Sequence, residues 1–244
     1  MVKIGIIDAD SIVYTLCYRV NDLGITFNDV IPMIDEYCSN IERDMECSHY
    51  YYILEGEGNF RYNYDNNYKS GRNEKPLHFQ ATKDYIVNNK SSILALNMET
   101  DDYCHIFVTL CKTLGLDYVI GHVDKDLLQI EGAIYNYKKK EWKIIDKYAG
   151  LYNLCIQLLM GDGTDTKIAG LKGIGKAKAT KLLLDVEYDN LIPTTIKKYC
   201  SHYDNPRTGI EKFYLSYSLL NLKEYDDSVT QTLKSMLIRD DIIR

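Results

Sequence analysis

Eight carboxylates in four short clusters dominate the chemistry this sequence could perform. They are Asp8; Glu99, Asp101 and Asp102; Asp124 and Asp126; and Asp162 and Asp165. Each cluster interrupts or follows an apolar stretch, where a stray charge is expensive to bury. Converging carboxylates repel one another and take up protons unless a cation neutralises them. The pattern points to a hard-metal site for Mg²⁺ or Mn²⁺, which take oxygen ligands and keep waters. Two such ions held together are a common apparatus for hydrolysing a phosphodiester. Each cluster alone has a plainer use. Acids at a helix start complement its dipole, and Asp beside a glycine turn bonds local backbone. All four together, in this order, favour the metal.

Two further segments carry cations. Gly170-Leu171-Lys172-Gly173-Ile174-Gly175 reads as a hairpin between helices, where glycine lets the backbone approach a ligand. The amides at the following helix start could bind a phosphate. Lys167, Lys172, Lys176, Lys178 and Lys181 surround it, with no acid from Thr166 to Leu184. Such a local charge in an acidic chain is the footprint of a backbone-binding module, with a solvated lysine face as the plainer alternative. No base-reading side chains accompany it, so binding is expected to follow structure rather than sequence. Tyr68-Lys69-Ser70-Gly71-Arg72 lies upstream of the second acidic cluster. Lys69 and Arg72 could clamp a scissile phosphate, and Tyr62, Tyr64 and Tyr68 could stack on bases.

These residues need elements to position them. Residues 2–8 form a short apolar run that predicts a buried strand ending at Asp8. Helices are predicted over 10–20 and 29–46, and a strand over 49–55. The polar stretch 56–75 predicts a loop. A helix over 77–89 and a short strand over 92–96 follow. Thr100 is the expected N-cap of an amphipathic helix over 101–114. Residues 117–123 predict a strand ending at Asp124, and 133–146 a hairpin. This alternation predicts an α/β fold with a mainly parallel sheet flanked by helices. Ligands bind such sheets at the carboxyl ends of strands, where Asp8 and Asp124 fall. After Asp146 the pattern turns helical: 148–160, then 176–184, then two or three more. The expected division is a catalytic domain over 1–146 and an all-helical region over 147–244.

At 244 residues the chain can bury a proper core. Its composition, 45% hydrophobic and 26% charged, is globular. The net charge of −6 argues at first against nucleic acid, but setting the eight clustered acids aside leaves +2. Bound metal would offset those acids, so local charge must decide. Seven scattered cysteines without a CxxC pair predict free thiols in a reducing compartment. The five histidines form no zinc pattern. No secretory signal is visible and no apolar run nears about 18 residues. The expectation is a soluble cytoplasmic protein, in a host cell if viral, without a membrane partner.

In order and spacing these motifs resemble the structure-specific 5′ nucleases. That family includes phage 5′–3′ exonucleases, phage ribonuclease H of the T-even type, the 5′ nuclease domain of DNA polymerase I, and flap endonucleases. The matching pieces are Ile6-Ile7-Asp8, Tyr68 to Arg72, Glu99-Thr100-Asp101-Asp102, Val123 to Gln129, and Met160 to Ala177. They span about three quarters of the chain. The resemblance implies a PIN-like catalytic domain followed by a helix–three-turn–helix element. It implies two divalent ions, with Asp8, Glu99, Asp101 and Asp124 resembling inner or shared ligands. Asp102, Asp126, Asp162 and Asp165 would complete the site directly or through water. Lys69 and Arg72 would sit at the base of a helical arch that admits a single-stranded 5′ end. The turn with Gly170, Gly173 and Gly175 would grip duplex DNA, with a K⁺ ion on its backbone carbonyls.

The implied activity is Mg²⁺-dependent cleavage of branched, flap or nicked DNA, extending to RNA in RNA–DNA hybrids. The implied setting is replication or repair, as a monomer alongside replication proteins. Two departures stand out. The stretch from Arg72 to Glu99 is short, so a reduced arch is expected, and His122-Val123 replace small polar residues before Asp124. A PIN-type single-strand ribonuclease shares the acidic pocket but needs no basic glycine hairpin. A non-catalytic junction-binding protein would be expected to have lost a carboxylate.

Overall fold

The apolar run at the amino terminus forms β1 (Lys3–Asp8), covered on both faces. Ile4 and Ile6 point to one side and Ile7 to the other, as strand geometry requires. Double coverage of this kind belongs to the interior of a parallel sheet. The computed structural model describes residues 2–71, 74–163 and 168–243. Arg72, Asp165 and Lys167, each singled out above, lie outside the described residues.

Around β1 the chain adds α1 (Asp10–Val20), α2 (Phe27–Met45), β2 (His49–Glu55), α3 (Phe79–Asn89), β3 (Ser92–Ala95) and α4 (Thr100–Leu114). It continues through β4 (Asp117–His122), β5 (Gly132–Asn136) and β6 (Glu141–Ile145). The main sheet runs β3-β2-β1-β4-β5-β6, parallel except for β6. The predicted hairpin is therefore β5–β6, and its first strand extends the parallel sheet. Chain order reverses between β1 and β4, which pair in parallel with Ile7 opposite Gly121. Their carboxyl ends flank the switch point where open α/β sheets bind ligands.

Helices cover both faces. Phe107 of α4 and Ile53 of β2 share one core with Ile4 and Ile6. Leu16 of α1, Ile34 of α2 and Ile86 of α3 share the other with Ile7 and Tyr52. The segment expected as a loop at 56–75 contains a 3₁₀ turn, Phe60–Asn63.

Beyond the sheet come α5 (Lys147–Met160), the short strands β7 (Gly161–Asp162) and β8 (Ile168–Ala169), and α6 (Lys176–Leu182). Three helices follow: α7 (Leu191–His202), α8 (Pro206–Leu220) and α9 (Asp227–Arg239). Leu158 of α5, Tyr199 of α7 and Phe213 of α8 form a third core. Helix α9 returns across the expected division at 146, and its Val229, Leu233 and Leu237 join the core beneath α4.

Candidate active site

The switch point opens into a cleft of about 770 Å³. Its lining includes Asp8, Glu99, Asp101, Asp124, Asp126 and Asp162, together with Lys69. Strand β1 delivers Asp8 at its last residue and β4 delivers Asp124 two residues past its end. The first turn of α4 delivers Asp101, and β7 delivers Asp162. Carboxylate oxygens of Asp101, Asp124 and Asp126 lie within 4.8 Å of one another.

Crowding and burial act on Asp8, Asp101 and Asp126 in one direction. Burial, then the charges of Asp10 and Asp124, push Asp8 up to about 8. Asp101 is raised well above the usual carboxylate range by burial and by Asp124, Asp8 and Asp126. Asp126 rises to about 6 through burial and Asp124, against the opposing charge of Lys125. Such a set of oxygen donors, short of positive charge, fits a hard divalent cation.

Glu99 behaves oppositely. Burial alone would raise it, but Lys69 and Arg61 outweigh that and hold it below the ordinary range. The Lys69 ammonium forms an ion pair with Glu99, and the Tyr68 hydroxyl donates to the same carboxylate. Lys69 takes a left-handed backbone (φ 58°), sparsely populated by residues other than glycine. Tyr68, expected to stack on bases, is buried, its ring edge-on to Tyr62 at 6.1 Å. Tyr62 and Tyr64 are the exposed rings of this segment.

Asp102 corrects the expected ligand set. It does not line the cleft; it is fully buried in a bidentate pair with Arg61, at 2.5 and 2.9 Å. Its remaining lone pairs accept from the backbone amides of Glu99 (3.1 Å) and Lys223 (2.8 Å). Its oxygens thus face a buried arginine and two backbone amides, away from the cleft. The bond from the Glu99 amide is half of a reciprocal capping box, so Glu99, not Thr100, caps α4. Thr100 instead donates its hydroxyl to Asp10 at 2.5 Å.

Sequence reasoning missed three residues. Asp10 lines the cleft beside Asp8 and accepts the Glu55 amide at 2.9 Å; the Asp-Ala-Asp spacing was its signal. Arg61 is 1% exposed and also donates to the Leu219 carbonyl at 2.9 Å. No charge pattern marks it among its Tyr and Asn neighbours. Lys125 lies 2.7 Å from Asp162 and 3.4 Å from Asp126, and the Asp-Lys-Asp triplet could have revealed it.

The glycine hairpin stands apart from the cleft. Gly173 takes a left-handed φ of 78° at the turn, and Gly175 precedes α6. Gly170 is a close approach: a Cβ there would meet the Met160 carbonyl carbon at 2.2 Å. Lys172, Lys176, Lys178 and Lys181 are all exposed, and Lys178 donates to the Gly173 carbonyl at 3.4 Å. Among the described residues, no helix is long and apolar enough to cross a membrane.

No family model matches the chain. The chain is 27% identical to flap endonuclease Xni of Pseudoalteromonas translucida (strain TAC 125), over 76% of its own length and 77% of that protein. Its fold matches a bacteriophage T5 flap endonuclease solved as a pseudo-enzyme–product complex with DNA and metal ions. There the TM-score is 0.73 at 13% identity, covering 97% of this chain and 98% of the other. The T5 5′-exonuclease with bound zinc matches with TM-score 0.73 at 15% identity, over 97% of this chain and 98% of that one. The catalytic core of Rad2 in complex with DNA substrate matches with TM-score 0.56 at 14% identity, over 100% of this chain and 74% of that one. The sheet and its flanking helices are thus the PIN-like fold of these nucleases.

Proposed function

We propose that this chain acts as do the structure-specific 5′ nucleases with which its sequence and fold side. It is a hydrolase that cuts phosphodiesters of flap, branched or nicked DNA, using two Mg²⁺ or Mn²⁺ ions. The observation that carries this reading is the convergence of Asp8, Asp101, Asp124 and Asp126 at the switch point of the sheet. Asp8, Asp101, Asp124 and Glu99 would hold the ions, with Asp126, Asp162 and Asp165 completing the set. Bound there, divalent ions supply an ionised water and charge stabilisation for the leaving 3′-oxygen.

The protein's own groups do the rest. Lys69 meets the phosphate from the cleft wall, released from Glu99 as negative charge arrives. Arg72 supplies the companion cation of the motif. The exposed lysines of the 170–181 segment hold the duplex by its phosphates, so binding is expected to be neutral to sequence. A K⁺ ion on the carbonyls of the 170–175 turn is part of this reading. Cleavage of RNA in RNA–DNA hybrids follows if the duplex is held by backbone alone.

The test is a substrate panel with Mg²⁺ or EDTA: a 5′-flap DNA, a matching RNA–DNA hybrid and a single-stranded RNA. Mg²⁺-dependent cutting near the flap junction is expected. Cutting of single-stranded RNA alone would instead assign the chain to the PIN-type ribonucleases.

A further inference from the structure

We propose that Lys125 is a resident cation of the metal site, seated between Asp126 and Asp162 and displaced when a divalent ion binds that pair. The inference rests on the metal-dependent reading above. The Lys125 ammonium lies 2.7 Å from Asp162 Oδ2 and 3.4 Å from Asp126 Oδ1. It therefore bridges carboxylates carried by two separate segments, the turn after β4 and the strand β7.

The two sides of this bridge are built differently. Asp126 is held in place: Gln157 donates to its Oδ1 at 2.6 Å, and Gln129 donates to the Gln157 side-chain carbonyl at 2.7 Å. The lysine is held by charge and not by close packing. Its side chain is 47% exposed, and its flexible stem can swing to solvent without repacking the core. The contrast with Arg61 is direct, since that cation is 1% exposed and its partner Asp102 is fully buried.

A hard divalent ion needs the oxygens that the ammonium occupies. The two cations compete for them, so the lysine weakens binding at this pair. It also places a positive charge between Asp126 and Asp162 and so offsets their mutual repulsion in the metal-free protein. Each half-exposed ion pair of this type is modest, so the penalty on metal affinity is roughly three- to tenfold.

The experiment is a calorimetric Mn²⁺ titration of the full chain at fixed pH, for wild type, Lys125→Met and Lys125→Arg, with melting curves in EDTA. Met keeps the stem and removes the charge; Arg keeps the charge. The Met variant should bind the weaker of two Mn²⁺ ions roughly three- to tenfold more tightly, with Arg near wild type. It should also melt lower than wild type in EDTA and gain more from saturating Mn²⁺. Equal affinity in all three proteins, or weaker binding by the Met variant, would overturn the proposal. A wild type that takes up no Mn²⁺ would refute the metal reading itself, a separate and recognisable failure.

Discussion

At the scale of residues, the acidic cleft separates carboxylates by what each one touches. Asp8 and Asp101 face other acids, whereas Asp102 faces Arg61 and two amides. Breaking that buried pair with Asp102→Ala should cost about 3–5 kcal/mol, read by denaturant unfolding. The acids of the cleft give a pH signature of the opposite sign to an ordinary salt bridge. A carboxyl raised from its unfolded value to about 8, as Asp8 is, stabilises the fold at low pH. That stability is lost as pH climbs from about 4 through 8. The metal-free protein should therefore melt at progressively lower temperature across this window, and Asp8→Asn should flatten the dependence. Divalent ions need the ionised acids, so their binding should tighten over the same range. Most of the cleft was legible as charge placed where burial is costly. Asp102 was not, because membership of a motif cannot tell a carboxylate facing solvent from one facing a buried arginine 41 residues away.

At the scale of elements, β1 ends on Asp8 and β4 leads to Asp124 two residues on, because apolar runs end where Asp begins, a pattern plain in the sequence. The cap of α4 was misplaced by one residue, since Glu at N-cap works only through its reciprocal bond with Asp102. The hairpin between β8 and α6 depends on a close backbone approach. Gly170→Ala would drive a Cβ into the Met160 backbone and should lower the melting temperature. Neutralising Lys172, Lys176, Lys178 or Lys181 should act differently. Each change should weaken DNA binding evenly across sequences, with folding unchanged. The salt dependence of log Kd should fall by about one unit for every phosphate no longer neutralised.

At the scale of the whole molecule, the helical half is tied to the sheet. Leu233 and Leu237 of α9 are fully buried beneath α4, whose first turn carries Asp101. Removing everything after Leu222 should abolish cooperative unfolding as well as activity, seen as a broadened melt. The carboxy-terminal segment offered no motif, yet Val229, Leu233 and Leu237 recur every four residues, enough to show an apolar helix face. What that face covers depends on tertiary packing and was not readable. Metal at the sheet's switch point underlies the whole reading, and one paired measurement reaches it. Wild type and Asp124→Ala are each incubated with a 5′-flap DNA labelled at the 3′ end of the flap strand, in Mg²⁺, with binding to the same DNA measured beside cleavage. Wild type should cut at the junction and lose that activity in EDTA, while the variant should bind almost normally and not cut. Wild-type turnover by Asp124→Ala, or cutting that survives EDTA, would contradict the metal site.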